Sequence, residues 1–439
     1  MNKMDTLNLA IADARSRYAA LNPLSEAADK GAERFFPGGN TRTVLHYDPF
    51  PLTMVGGHGA ELTDLDGHHY VDFVGEFSAG LFGHSNDIIK SAIQKALDDG
   101  FVMGAPTTYE RELAGLLCER FPSIDKVRFC NSGTEANLMA LTTARIVTGR
   151  EKILAFKDGY HGGVIKFLGG PSKFNVPFEF VLSDYNDLEG TAEIISHIGD
   201  ELAAVIIEPV LGAGGNILAD RAFLEMLRRK ATEVGALLIF DEVKTARLGA
   251  SGVQGMAGIE PDMTTLGKFI GGGLPTGAFG GSEEIMARFN PKLKGALAHA
   301  GTFNNNVCSM AAGAVAMGQI YTPQCAEDFF TRSEAFRLAL NEMFAAKDVP
   351  MYANGLGSMI AIHFSRKITN TPADISAGCR ALRPLLHMEL LLEGVLVCAR
   401  GDVFLSLPMD ETHLLRARDA FEKFIDGYKP LIEQVLQDA

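Results

Sequence analysis

The sequence predicts an α/β protein, with a large domain on a central, mostly parallel sheet and a smaller α+β domain beside it. Three observations lead there. Through the middle of the chain, short and nearly continuous apolar runs alternate with amphipathic stretches, the pattern of parallel strands covered on both faces by helices. Near residue 325 this alternation gives way to a long helical stretch followed by isolated strands. At 439 residues the chain also exceeds what a single core ordinarily fills.

In chain order, Leu7, Ala10, Ile11, Ala14 and Tyr18 trace one face of an amphipathic helix. No basic head followed by an apolar run marks a targeting segment there. Residues 25–60 are rich in Gly and Pro, as in Phe36-Pro37-Gly38-Gly39-Asn40, and read as loop followed by short strands. Residues 61–73 read as a hairpin turning at Asp66-Gly67. Buried strands are expected at 127–129, 152–156, 203–207 and 236–240, and the intervening stretch 222–234 puts Phe223, Met226, Leu227 and Ala231 on one helical face. Beyond 325 come a helix at 326–347, a strand at 358–364, a further helix, and the apolar stretch 395–407. The expected division is 1–65 as an N-terminal segment joining the small domain, 66–324 as the large domain and 325–439 as the small domain, because the two ends flank the central unit.

The formal charge of −14 argues against nucleic-acid or anionic-membrane binding, both of which need a basic surface. An anionic substrate would have to be met by local arginines. Apolar runs such as 236–240 are too short to span a bilayer. The cysteines Cys118, Cys130, Cys308, Cys325, Cys379 and Cys398 show no CxxC or metal-finger spacing. Most sit among apolar or small residues and read as reduced core thiols of a cytoplasmic protein without a metal site.

Ligands of such sheets bind beyond the carboxyl ends of the strands, and three motifs are expected there. Asn131-Ser132-Gly133-Thr134-Glu135-Ala136-Asn137 follows the first strand and opens a helix near Glu135. Free N–H groups at a helix start, with two hydroxyls, suit a phosphate; the same residues also make an ordinary N-cap. Phe240-Asp241-Glu242-Val243 puts an acid at the end of a buried strand, which is costly unless paired. A pyridinium nitrogen would pair it, and so would a structural salt bridge or a metal. Thr264-Thr265-Leu266-Gly267-Lys268 places one lysine before the run Phe269-Ile270-Gly271-Gly272-Gly273-Leu274-Pro275. A lysine desolvated beside a cationic ring has a lowered pKa and attacks an aldehyde; a surface lysine beside a flexible loop is the ordinary alternative. The glycines follow the lysine, unlike those of a nucleotide-binding P-loop.

Taken together, a phosphate-type motif, then an aspartate, then a lysine 27 residues later resembles the class III aminotransferases of the fold-type I pyridoxal-phosphate transferases, over nearly the whole chain from about residue 30. The resemblance implies pyridoxal 5'-phosphate as cofactor and Lys268 as the catalytic residue carrying it as a Schiff base. It further implies Asp241 on the ring nitrogen, Val243 against one ring face, and Ser132, Gly133 and Thr134 on the phosphate. Gly159-Tyr160-His161-Gly162 follows the second strand and implies Tyr160 stacked on the ring. Glu208-Pro209 ends another strand; its acid lies near the ring by resemblance, or serves a local cap or ion pair, and both readings stay open. Gly301-Thr302-Phe303 implies that Thr302 reaches the phosphate of a neighbouring subunit, hence a homodimer with shared active sites.

Within the family, Phe36-Pro37-Gly38-Gly39 and residues 264–275 resemble glutamate-1-semialdehyde 2,1-aminomutases. Asn40-Thr41-Arg42-Thr43-Val44, Asp48-Pro49-Phe50-Pro51-Leu52, Tyr160-His161-Gly162-Gly163-Val164, Gly301-Thr302-Phe303-Asn304-Asn305-Asn306 and Arg400-Gly401 are more similar to the β-amino-acid aminotransferases acting on β-phenylalanine. Lys244 departs from the pattern, since many relatives have methionine there. The expected reaction moves an amino group from a β-amino acid, aromatic such as β-phenylalanine, to 2-oxoglutarate or pyruvate. Arg42 would take the β-amino-acid carboxylate and Arg400 the α-carboxylate of the keto-acid or amino-acid co-substrate, because arginine offers a bidentate fork. The alternative is the intramolecular aminomutase, which needs no keto-acid acceptor. A ligand-sensing regulator is disfavoured, since no basic helix-turn-helix segment is seen. A dinucleotide-dependent oxidoreductase is disfavoured too, since no Gly-x-Gly-x-x-Gly follows the first strand.

Overall fold

A computed structural model describes residues 3–437. Seven strands form its central sheet: β1 Lys126–Cys130, β2 Lys152–Phe156, β3 Glu179–Ser183, β4 Leu202–Ile207, β5 Leu237–Asp241, β6 Met263–Gly267 and β7 Gly277–Gly281. Their order is β1-β7-β6-β5-β4-β2-β3. β7 runs antiparallel to both neighbours and every other pair is parallel.

The apolar runs exist because both faces are covered. All six residues of β4 are buried. Leu154, Val205, Ile207, Leu238 and Phe240 pack on one side with Phe223 and Leu227 of the helix Arg221–Val234. The alternate residues Ile153, Ala204, Ile206 and Ile239 pack on the other with Ala140 and Leu141 of the helix Gly133–Thr148. This is the two-residue period of a strand expressed as two cores.

The four expected strands fall within a residue or two of their places. β3, β6 and β7 are additions. β7 reads Gly-Ala-Phe-Gly-Gly, a poor strand former. Its glycine content answers a close approach instead: a Cβ on Gly277 would stand 2.1 Å from the Ser132 carbonyl oxygen.

The two ends of the chain meet. Met54–His58, Glu61–Asp64 and His69–Asp72 form an antiparallel meander, and Val395–Leu396 adds to it in parallel beside His69–Asp72. The hydrogen-bonded sheet therefore continues past residue 65. The helix Lys3–Leu21 packs on Ala377–Leu392 and Glu411–Leu436, burying Leu7, Ala14 and Tyr18. A second antiparallel sheet joins Tyr352–Leu356, Met359–His363 and Asp402–Phe404. The stretch 395–407 is thus two short strands, parted at Gly401 with φ of 95°.

One correction concerns 25–60, expected as loop before its strands: Pro23–Ala32 is a helix. Pro23 suits its first turn. The orphan N–H groups of Leu24 and Ser25 donate to the Asp66 carboxylate at 2.7 and 2.9 Å. The helix is capped from the hairpin turn, some forty residues away in the chain, so no local cap betrays it. Among the described residues no helix is long and apolar enough to cross a membrane.

Candidate active site

The carboxyl ends of β1, β2, β4, β5 and β6 open on a cavity of about 710 Å³. Gly133 and Thr134 reach it after β1, Tyr160 and His161 after β2, Glu208 after β4, Asp241 and Val243 at the end of β5, and Lys268 after β6. Arg42 enters from the N-terminal segment and Arg400 from the turn before Asp402–Phe404.

Asp241 is 3% exposed and held by three donors. The Val243 N–H donates to Oδ1 at 3.0 Å, and Asn137 Nδ2 and His161 Nδ1 each approach Oδ2 at 2.8 Å. Asn137 is itself fixed, since Thr265 Oγ1 donates to its Oδ1 at 2.6 Å and its Nδ2 also reaches the His161 carbonyl at 2.9 Å. Residues from four neighbouring segments thus aim one buried carboxylate.

Glu208 accepts the Tyr160 N–H at 2.8 Å and the Gly212 N–H at 3.1 Å, and burial pushes its carboxyl up from the ordinary glutamate value. It accepts from local backbone and also lines the cavity. Lys268 has φ of 56°, in the left-handed region uncommon for a residue with a side chain. Burial pushes its ammonium below the ordinary lysine value.

The loops close tightly on one another. A Cβ on Gly133 would lie 2.6 Å from Val243 Cγ1, and one on Gly162 would lie 2.3 Å from Thr134 Oγ1. The first N–H groups of the helix Gly133–Thr148, unpaired within any helix, are left at the cavity edge. Ser132 does not line this cavity, because its hydroxyl is turned to the helix as N-cap, accepting the Glu135 N–H at 3.2 Å. Thr302 does not line it either; it lies exposed beside Phe303.

Two arginines meet around one ring. Arg42 pairs with Glu76 and lies 5.4 Å from the Phe77 centroid; Arg400 pairs with Asp402 and lies 5.7 Å from the same centroid. Glu76, Phe77 and Ser78 all have positive φ, at 48°, 54° and 79°. Three successive side-chain-bearing residues in that region store strain of a kind found at ligand sites. The cavity carries Arg42, Lys166, Lys244, Lys268 and Arg400 against Glu76, Glu208 and Asp241, so an acidic protein holds a locally basic pocket suited to anions.

Sequence reading assigned no role to His161, Asn137, Glu76 or Phe77. His161 and Asn137 stand inside motifs already singled out, but nothing local says that they converge on Asp241, which lies 80 and 104 positions further along.

A family model described as Aminotransferase class-III matches residues 44–409. The chain is 46% identical over 426 residues to the β-phenylalanine transaminase of Variovorax paradoxus, covering 97% of this chain and 98% of that one. A crystal structure of the β-phenylalanine aminotransferase from Variovorax paradoxus aligns with a TM-score of 0.95, over 97% of this chain and 99% of that one. The chain is also 35% identical over 414 residues to the glutamate-1-semialdehyde 2,1-aminomutase of Methanopyrus kandleri, covering 90% and 96%. A transaminase structure with pyridoxal phosphate bound aligns with a TM-score of 0.84 at 31% identity, over 95% and 99%.

Proposed function

From the premise that the chain belongs to the class III aminotransferases and works with pyridoxal 5'-phosphate, we propose that it moves an amino group from a β-amino acid, aromatic such as β-phenylalanine, to 2-oxoglutarate or pyruvate. One observation carries this reading: Arg42 and Arg400 open on the same cavity as Lys268 and Asp241. A transaminase receives two carboxylates in turn, and two guanidiniums over one ring offer a partner to each. The likeness to the Variovorax paradoxus enzyme supports the β-amino-acid choice.

The residues fit the cofactor. Gly133 and Thr134 offer a helix N-terminus to the phosphate, with Ser132 ordering that turn as its cap. Asp241 would hold a proton on the ring nitrogen, and Asn137 and His161 keep its carboxylate aimed. Val243 and Tyr160, both on the cavity lining, would hold the ring between them. Lys268 would hold the cofactor and serve as the base; a lysine depressed by burial is a free amine at lower pH than a surface lysine. Once bound, the cofactor supplies an electron sink for the bond pair released when a substrate C–H ionises. Glu208, on the cavity wall, would stand beside the ring.

A homodimer belongs to the same reading, with Thr302 reaching the neighbouring subunit's phosphate. The exposed Phe303, Val102 and Phe174 offer apolar surface of the kind subunits bury. The six free cysteines support a reducing, cytoplasmic location. The division into 66–324 and a unit of 1–65 with 325–439 is part of the proposal, its N-terminal border falling within the meander described above.

The aminomutase is the second reading, favoured by the 35% identity to the Methanopyrus kandleri enzyme. An amino-donor screen with 2-oxoglutarate and pyruvate as acceptors tests both. Turnover of β-phenylalanine that requires an acceptor is expected. A 1,2-amino shift that proceeds without any acceptor would replace the transaminase reading with the mutase.

A further inference from the structure

Lys244 is a buried cation that the proposed reaction leaves unused. It lines the cavity together with Arg400 and Lys268 and is 8% exposed. Among the described residues no carboxylate stands within ion-pair distance of its ammonium and no hydrogen bond engages it. The Phe404 ring lies 4.5 Å from Nζ. The residue is buried but its ammonium faces the cavity, where solvent still reaches it, and a ring face offsets only part of the cost of leaving a partly desolvated charge unpaired.

The surroundings leave space for that charge rather than filling it. A Cβ on Gly212 would stand 2.7 Å from Lys244 Nζ and 3.1 Å from Glu208 Oε2, so the bare backbone there is what gives the ammonium its room. Gly212 has no positive φ, so space and not backbone conformation explains the glycine. Arg42 and Arg400 each already hold a carboxylate of the protein; Lys244 holds none.

We propose that Lys244 is a specificity-determining residue that binds the second carboxylate of a dicarboxylic substrate, the one farther from the reacting nitrogen or carbonyl, while the arginines take the nearer one. The proposal rests on the transaminase reading of this cavity and names its substrate class. A monocarboxylate leaves the ammonium unpaired; a dicarboxylate pairs it. Burial, reinforced by Arg400 and Lys268 and opposed by Asp402 and Glu208, pushes Lys244 down to about 8, so it is still charged at neutral pH. The second carboxylate has two sources, an acidic β-amino donor or a dicarboxylic keto-acid acceptor.

The two half-reactions of the cofactor-loaded enzyme distinguish the sources. 3-Aminohexanedioate is compared with 3-aminohexanoate as donor, and 2-oxoglutarate with 2-oxopentanoate as acceptor. Lys244→Met is expected to lower the dicarboxylate-to-monocarboxylate ratio of kcat/KM by about tenfold or more in at least one half-reaction, while Lys244→Arg keeps it. A binding readout stands beside these rates: the loaded wild type should hold glutarate about tenfold more tightly than pentanoate, and Lys244→Met should bring the two near parity. Unchanged ratios in both half-reactions, or equal glutarate and pentanoate binding by the wild type, overturn the proposal and leave Lys244 a structural cation against Phe404. The wild-type comparison needs no variant to fold. Failure of the transaminase reading looks different: no donor–acceptor pair turns over, whatever the glutarate measurement shows.

Discussion

Replacing Asp241 by asparagine is expected to spare the fold and remove most of the activity. The carboxylate takes two donors on Oδ2, from Asn137 and His161, and one on Oδ1, from the Val243 N–H. An amide has one oxygen. Kept against Asn137 and His161, it turns its NH2 toward the Val243 N–H and strands one buried donor, at a cost of about 1–3 kcal/mol. With an unfolding entropy of about 2 cal/mol/K per residue, a chain of 439 residues loses roughly 1–3 °C in melting temperature. The catalytic cost is larger on the proposed reading, because the charge offered to the ring nitrogen disappears from a site only 3% exposed. Losing a desolvated charge pair costs roughly 2–5 kcal/mol, or about 30-fold to a few thousand-fold in rate. Single-turnover absorbance with β-phenylalanine measures it, and thermal unfolding provides the control. A half-reaction within about threefold of wild type, with the cofactor still bound, would refute the reasoning and make Asp241 a purely structural acid.

Lys268→Ala should lose the near-visible absorption of the lysine-linked cofactor together with all turnover; a surviving band would move the linkage to another lysine, and Lys244 shares the cavity. Arg42→Ala should mainly slow the half-reaction with the β-amino acid and Arg400→Ala that with the keto acid, each by well over tenfold, on the order of 2–5 kcal/mol; equal losses in both half-reactions would dissolve the two-arginine assignment. Sedimentation at assay concentration should show at least a dimer, and an active monomer would remove Thr302 from a shared site. The preference for dicarboxylates should fall as pH rises through about 8, because Lys244 is protonated below that value and neutral above it. Asp402, Arg400, Lys268 and Glu208 face the same group, so the monocarboxylate measured at each pH serves as the reference that cancels their titration.

What the sequence determined by itself was local. The strands at 152–156 and 236–240, the helix after β1 and the three motifs at strand ends are written in periods of two and 3.6 residues and in spacings along one chain. These follow from backbone geometry, and they sufficed to point to Asp241 and Lys268. The tertiary structure decided what depends on partners far apart in the chain. Pro23–Ala32 is a helix because Asp66 caps it, and β7 is a strand because its glycines let Ser132 approach. Asp241 is aimed because Asn137 arrives from the helix after β1 and His161 from the loop after β2, at the end of a strand that lies between β4 and β6 in the sheet. Lys244 reads as one residue after Val243; only folding sets it over Phe404, opposite a bare Gly212 and without a counter-ion among the described residues. Propensity and pattern act over a turn or two, whereas burial and charge pairing act through space, and the order in which strands are assembled decides which residues share that space.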